Sequence, residues 1–249
     1  MPLNPLAAVT DYQSMLNRIF WFTTACALAA IWMLRLNSPV IDALLSRVDF
    51  AVAIQGERLL PTPGGYLLPA LAIGILTRVF RLHARVSDWL GIRECFDLEV
   101  IIGEMAHRLD VDLNAISEQQ LQRERHNIMR KAFYPFVSGS QPQIDHQLIL
   151  QALDAWSWFW VGVEGALLFA VTGLGLIAFH AHGAGAGVLG AALVVATIGL
   201  PAIRNQCKRY AVAQVRAILD DRGRVAVVRS ALLESIAERG EHRDRRLAA

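Results

Sequence analysis

Four apolar blocks separated by polar stretches organise this chain: residues 19–34, 59–77, 155–179 and 184–203. A helix needs about 20 mostly apolar residues to cross a bilayer core, and each block approaches that length. Residues 155–203 carry one formally charged side chain, Glu164, and break at His180-Ala181-His182-Gly183, which predicts two helices joined in a hairpin. The first block contains Trp21 and Trp32 and ends at Arg35 without a small-residue cleavage site. It therefore predicts a retained crossing rather than a signal peptide, with Arg18 and Arg35 snorkelling to the interfaces. The second block begins poorly for a helix, with Pro61, Pro63, Gly64 and Gly65. Its regular part is expected from near Tyr66 through Phe80, with Pro69 in the first turn and Arg78 and Arg81 at the far interface. A re-entrant segment is the alternative.

The polar stretches are also periodic. Over residues 39–55, Val40, Ile41, Leu44, Leu45, Val48, Val52 and Ile54 alternate with Asp42, Ser46, Arg47 and Asp49, which predicts an amphipathic helix on the outer membrane surface. In residues 86–154, Ser87-Asp88-Trp89 predicts one helix start, and apolar positions from Leu90 to Leu109 follow at helical spacing. Ser117-Glu118-Gln119-Gln120 predicts a capping box, with Gln120 reaching back to Ser117. That helix should stop before Pro135, residues 138–140 read as a loop, and another helix starting near Pro142 runs on into the third apolar block. Residues 204–238 are again helical, with a break at 220–223 and a charged, frayed tail at 242–246.

The reading is thus an all-α polytopic membrane protein: four transmembrane helices in two hairpins and a helical cytosolic bundle. Its parts are a first hairpin with the outer amphipathic helix (1–81), a cytosolic insert (82–154), a second hairpin (155–203) and a cytosolic C-terminal region (204–249). Composition agrees, with 54% hydrophobic and only 18% charged residues. The net charge of +2 is too small to imply a nucleic-acid binder by itself. Arg78, Arg81, Arg85 and Arg93 follow the second block, and Arg204, Lys208, Arg209, Arg216 and Arg222 follow the fourth. The opposite side has Arg35, Arg47 and Arg58 in its first loop and none in its second. The positive-inside rule therefore puts both termini and the large middle segment in the cytoplasm. Three widely spaced cysteines, Cys26, Cys95 and Cys207, predict neither a disulfide framework nor a zinc site.

Glu164 leads the candidate chemistry. A carboxylate inside an apolar segment is too costly to face lipid, so it faces the bundle or water. It could line a cation route in an oligomer, or bond as a protonated acid to Thr23 or Thr24. Its helical neighbours Trp160, Leu167, Val171 and Leu174 are apolar, which disfavours a continuous wet pore along the third helix. Gly162, Ala166, Gly183, Gly187, Gly190 and Ala191 form small-xxx-small pairs that allow close helix packing, within the chain or between copies. Arg123, Arg125, His126, Arg130 and Lys131, followed by Tyr134, could hold an anionic ligand such as a nucleotide or oligonucleotide; a solvated face or a lipid-headgroup contact is the plainer use. Glu104-x-x-His107 has no second copy to complete a di-metal site, and His180/His182 are only two ligands. No metal and no cofactor are expected.

Enzyme signatures are missing: there is no P-loop, GxSxG, HExxH or Rossmann glycine pattern, so a non-enzymatic role is expected. In arrangement, two hairpins around a cytosolic helical insert, the chain resembles small membrane effectors of bacterial antiphage defence. That resemblance implies a homo-oligomeric pore gated by a nucleotide or oligonucleotide signal through the cytosolic helices. The other expected partners are the lipid bilayer and a possible cytosolic protein. A scaffold docking such a protein, or a proton-coupled carrier using Glu164, are the rival expectations.

Overall fold

The computed structural model describes residues 8–54, 57–58, 64–113, 117–138 and 142–247, with side chains described over 8–47, 64–113, 117–138 and 142–235. The poor helix start at Pro61 and Pro63, the apolar face at Val48, Val52 and Ile54, and the loop glycine Gly139 fall outside them. Every regular element among the described residues is helical, apart from a two-residue antiparallel pairing of β1 (Ala53–Ile54) with β2 (Glu57–Arg58). The chain divides into two compact units, Met1–Arg85 with Leu153–Arg204 and Val86–Ala152 with Asn205–Ala249.

In the first unit, α1 (Tyr12–Asn37) starts well before the apolar block. Asp11 caps it: the Ser14 amide donates to Asp11 Oδ1 at 2.6 Å and the Asp11 amide donates back to Ser14 Oγ at 3.0 Å. α2 (Pro39–Val52) and α3 (Gly64–Val79) pack on α1 around Ala27, Ile31 and Ala70. Gly74 is the point of closest approach, where an added Cβ would overlap the Thr24 hydroxyl and meet Phe20 at 3.1 Å. Arg35 is committed within the unit, bonding Asp42 at 2.8 Å and lying 4.1 Å from the Tyr66 ring. α3 ends at a turn in which Arg81 takes a left-handed φ of 48°, and α4 (Leu82–Trp89) leaves at 56° to it. α3 thus ends within one residue of the expected Phe80, while Ser87 lies in the last turn of α4 instead of starting a helix.

α9 (His146–Ala178) is one uninterrupted helix, as the run from Pro142 into the third block predicts. α10 (His182–Val194), a π-helical turn (Val195–Gly199) and α11 (Leu200–Leu219) form a second continuous helix. Three helices, Tyr12–Asn37, His146–Ala178 and His182–Leu219, are long and apolar enough to cross a membrane, and α3 with α4 makes a fourth if the bent pair counts as one span. This is the helix inventory of a membrane protein. The hairpin between α9 and α10 closes on Gly173 and Gly185, where a Cβ on Gly185 would sit 2.7 Å from the Gly173 carbonyl.

The second unit is built from α5 (Ile92–Phe96), a π-helical turn (Asp97–Ile102), α6 (Gly103–Leu109), α7 (Glu118–Ala132), α8 (Tyr134–Val137) and α12 (Arg222–Leu247). Gly91, at φ 62°, makes the turn before α5. Ile102, Met105, Ile128, Met129 and Leu232 are fully buried and form its core. Ser117 does stand at the N-cap of α7 but makes no side-chain cap bond, so the expected capping box does not form. The break at 220–223 is observed as a turn, with Asp221 Oδ1 accepting from the Arg224 amide at 3.0 Å. Helix continues to Leu247, through the segment expected to fray.

Candidate functional site

Glu164 is 2% exposed, on the side of α9 that meets α1. Of the two threonines within reach, Thr23 donates its hydroxyl to Glu164 Oε2 at 2.5 Å, while Thr24 bonds the Phe20 carbonyl of its own helix at 2.8 Å. A second donor is the His83 backbone N–H. It is available because the break at Arg81 restarts the helix: the first-turn amides of α4 have no intrahelical acceptor. The carboxylate is thus held by a hydroxyl from one helix and by a main-chain amide exposed at the break between two others. Half-helix ends do this for ions and charged substrates in transporters.

Beside the carboxylate lies a cavity of about 250 Å³, lined by Tyr12, Gln13, Leu16, Ile19, Phe20, Thr77, Arg78, Arg81, His83 and Glu164. Tyr12 is 58% exposed, so the lining runs from solvent-accessible groups to the buried acid. Arg78 is steadied by a hydrogen bond to Asn17 Oδ1 at 2.8 Å. The His83 ring lies against Trp160, with centroids 6.0 Å apart, and Trp160 stacks on Trp156 at 6.3 Å. Trp156 and Trp160 thus form part of a protein cluster behind the acid, and Trp160 is only 7% exposed. Further along α9, Leu167, Val171 and Leu174 are exposed, so Glu164 and Trp160 are covered by protein while the later residues of that row are not.

Arg18 does not snorkel. It is 5% exposed and donates through Nη1 to Asp154 Oδ1 at 2.5 Å and to Ser157 Oγ at 2.8 Å, tying the start of α1 to α9. A buried guanidinium needs such partners.

The YmfE protein family model matches residues 11–234. The chain belongs to the YmfE protein family. That match covers both units and, within the first, every residue lining the cavity. No curated protein and no solved structure matches this YmfE chain.

The basic cluster on α7 is distributed over several partners. Arg125 turns to the buried Asp97 at 3.2 Å, and Lys131 pairs with Glu234 at 2.6 Å. Arg130 reaches Asn127 at 3.4 Å, the Tyr134 hydroxyl accepts from Arg93 at 2.9 Å, and Arg123 and His126 are exposed. Burial pushes the Asp97 carboxyl up to about 6, against the opposing pull of Arg93, Arg125 and His126. Among the described residues no three potential metal ligands converge, and Glu104 is bonded to Arg108 at 2.6 Å.

Of the small residues singled out by spacing, Gly162 packs closely, since a Cβ there would lie 2.8 Å from Leu200. Ala166 is half-buried on the same helix. Gly183, Gly187 and Gly190 have nothing within 4 Å of a Cβ position, and Ala191 is exposed. Residue spacing missed Gly74, Gly173 and Gly185, which make the closest contacts. It also misses the cavity's Arg78, Arg81 and His83 as a group; their signal is three basic residues at the end of one apolar block, a pattern a plain membrane boundary shares.

Proposed function

We propose that this protein is a four-crossing bacterial inner-membrane protein with cytoplasmic termini that moves protons or cations through Glu164, as a proton-coupled carrier. The observation that carries the reading is the buried Glu164 carboxylate on a cavity shared with Arg78, Arg81 and His83, held by Thr23 and by a helix-break amide. An intramembrane carboxylate facing a cavity is the usual locus of ion or proton coupling. Counting α3 and α4 as one bent crossing gives an even number of spans, and the arginine bias then sets the orientation. In this reading the route lies within each chain, beside α1 and α3, because Glu164 is covered by its own protomer.

The test is proton flux into liposomes containing the purified full chain under an imposed pH gradient, followed with an entrapped pH-sensitive dye. Flux should be abolished by Glu164→Gln. Equal flux from wild type and Glu164→Gln would refute the reading.

A second reading, a homo-oligomeric cation channel gated through the cytosolic helices, is supported by the open small-residue face at Gly183, Gly187 and Gly190. Such a face allows close approach of a second copy. The kinship in arrangement with antiphage effectors would then make a nucleotide or oligonucleotide at Arg123, His126 and Arg130 the gating signal. Single-channel current from reconstituted oligomers would favour it; a monomer in nanodiscs would remove it.

A further inference from the structure

The cavity beside Glu164 holds more positive charge than its own acid neutralises. Arg78 and Arg81 line it with His83, and Glu164 is the single carboxylate on its wall. That carboxylate is already held by the Thr23 hydroxyl and the His83 amide. Among the described residues neither arginine is ion-paired to an acid. Arg78 is instead positioned by neutral groups, donating to Asn17 and lying 5.8 Å from the Phe20 ring centroid. A guanidinium fixed in this way keeps further N–H donors in a planar fork that matches a carboxylate or phosphate. Tyr12, Gln13 and Thr77 add hydroxyl and amide groups to the same lining. At about 250 Å³ the cavity is smaller than the roughly 300–1,000 Å³ of pockets for drug-sized molecules, so its guest is small.

We propose that this cavity binds a small oxyanion, a carboxylate or phosphate group, between Arg78 and Arg81. The proposal rests on the Glu164 cavity being the working site and names the class of guest it takes. A free anion in solution and the phosphate of a lipid headgroup offer the same chemistry, and two probes separate them. The full chain in neutral detergent is titrated with inorganic phosphate by calorimetry, and native mass spectrometry counts phosphatidylglycerol molecules retained after delipidation and re-addition.

Wild type should bind phosphate saturably if the guest is a free anion, or retain one phosphatidylglycerol per chain if it is a headgroup. The Arg78→Gln/Arg81→Gln variant should weaken either signal by at least about tenfold, and Arg229→Gln, on the exposed side of α12, should leave both unchanged. Arg78→Lys/Arg81→Lys, which keeps the charge but removes the fork, covers the case in which the glutamine variant fails to fold, and it should also bind more weakly than wild type. Wild type binding neither probe, or binding both as well after either double substitution, would overturn the proposal. The two readings fail separately. Flux lost in Glu164→Gln with oxyanion binding indifferent to Arg78 and Arg81 removes this inference alone. Binding lost with the arginines while flux survives Glu164→Gln removes the transport reading alone.

Discussion

Replacing Asp97 with asparagine should flatten the pH dependence of stability of the unit that contains it. Asp97 opens the π-helical turn after α5, is 6% exposed, and faces Arg125 at 3.2 Å and Arg93 at 4.0 Å. Desolvation outweighs the opposing pull of Arg93, Arg125 and His126 and lifts its carboxyl from 3.8 to about 6. Because the folded value lies above the unfolded one, the folded state binds the proton more tightly. The associated stabilisation is fully present below pH 3.8 and is lost as pH rises through about 6. The difference between those two values, at about 1.4 kcal/mol per pH unit, makes the full swing about 3 kcal/mol. Thermal unfolding of the full chain in detergent, read by intrinsic fluorescence between pH 4.5 and 7.5, should show the wild type losing several degrees more than Asp97→Asn as pH rises. Hydrogen exchange of peptides over residues 97–109 assigns the change to this unit. Parallel profiles for the two proteins would refute the reasoning, since they would mean that Asp97 ionises in the fold as it does in the unfolded chain.

Gly185→Val should destabilise the second hairpin by about 1–3 kcal/mol, because its Cβ would meet the Gly173 carbonyl and the Ile177 backbone, neither of which can rotate away. Gly187→Val, whose Cβ points into open space, should leave the monomer's melting point unchanged; equal losses at both positions would sink the packing account. Asp154→Asn should destabilise by about 2 kcal/mol, reduced from the about 3–5 typical of a broken buried pair because Asp154 is 43% exposed. Chemical denaturation in mixed micelles measures it, and an unchanged midpoint would show that the remaining partners of Arg18 satisfy it without Asp154.

Much of the helix pattern was legible because hydropathy and helical period are local properties. The uninterrupted run of α9 follows from the absence of any proline between His146 and Ala178, and the turn before α12 from Asp220, Asp221 and Gly223. The end of α3 near Phe80 was legible, but the left-handed turn at Arg81 was not. Arginine is an ordinary helix former, and nothing in its neighbours marks a left-handed residue. For the site, Glu164 stood out as a lone acid in apolar sequence, and Thr23 was one of two candidates for its partner. The amide of His83 could not be anticipated, because it becomes a donor only once the helix restarts. Spacing likewise could not tell Gly185, which closes the hairpin, from Gly187, which does not: glycines two positions apart point to different sides of the helix, and only the position of α9 decides which side is covered.

The early stop of α3 bears on the bilayer itself. At 16 residues it rises only about 24 Å, whereas α1, with 26 residues, rises about 39 Å. A hydrocarbon core of about 30 Å is therefore matched on one side of the first hairpin and undershot on the other. Where α3 alone passes through the hydrocarbon and α4 bends away from it, lipids beside it must thin or tilt, and headgroups are drawn inward on the flank where Arg78 sits. The protein would then be sensitive to acyl-chain length, more at ease in short-chain bilayers than in thick ones, and membrane thickness would act on the site without any ligand at all.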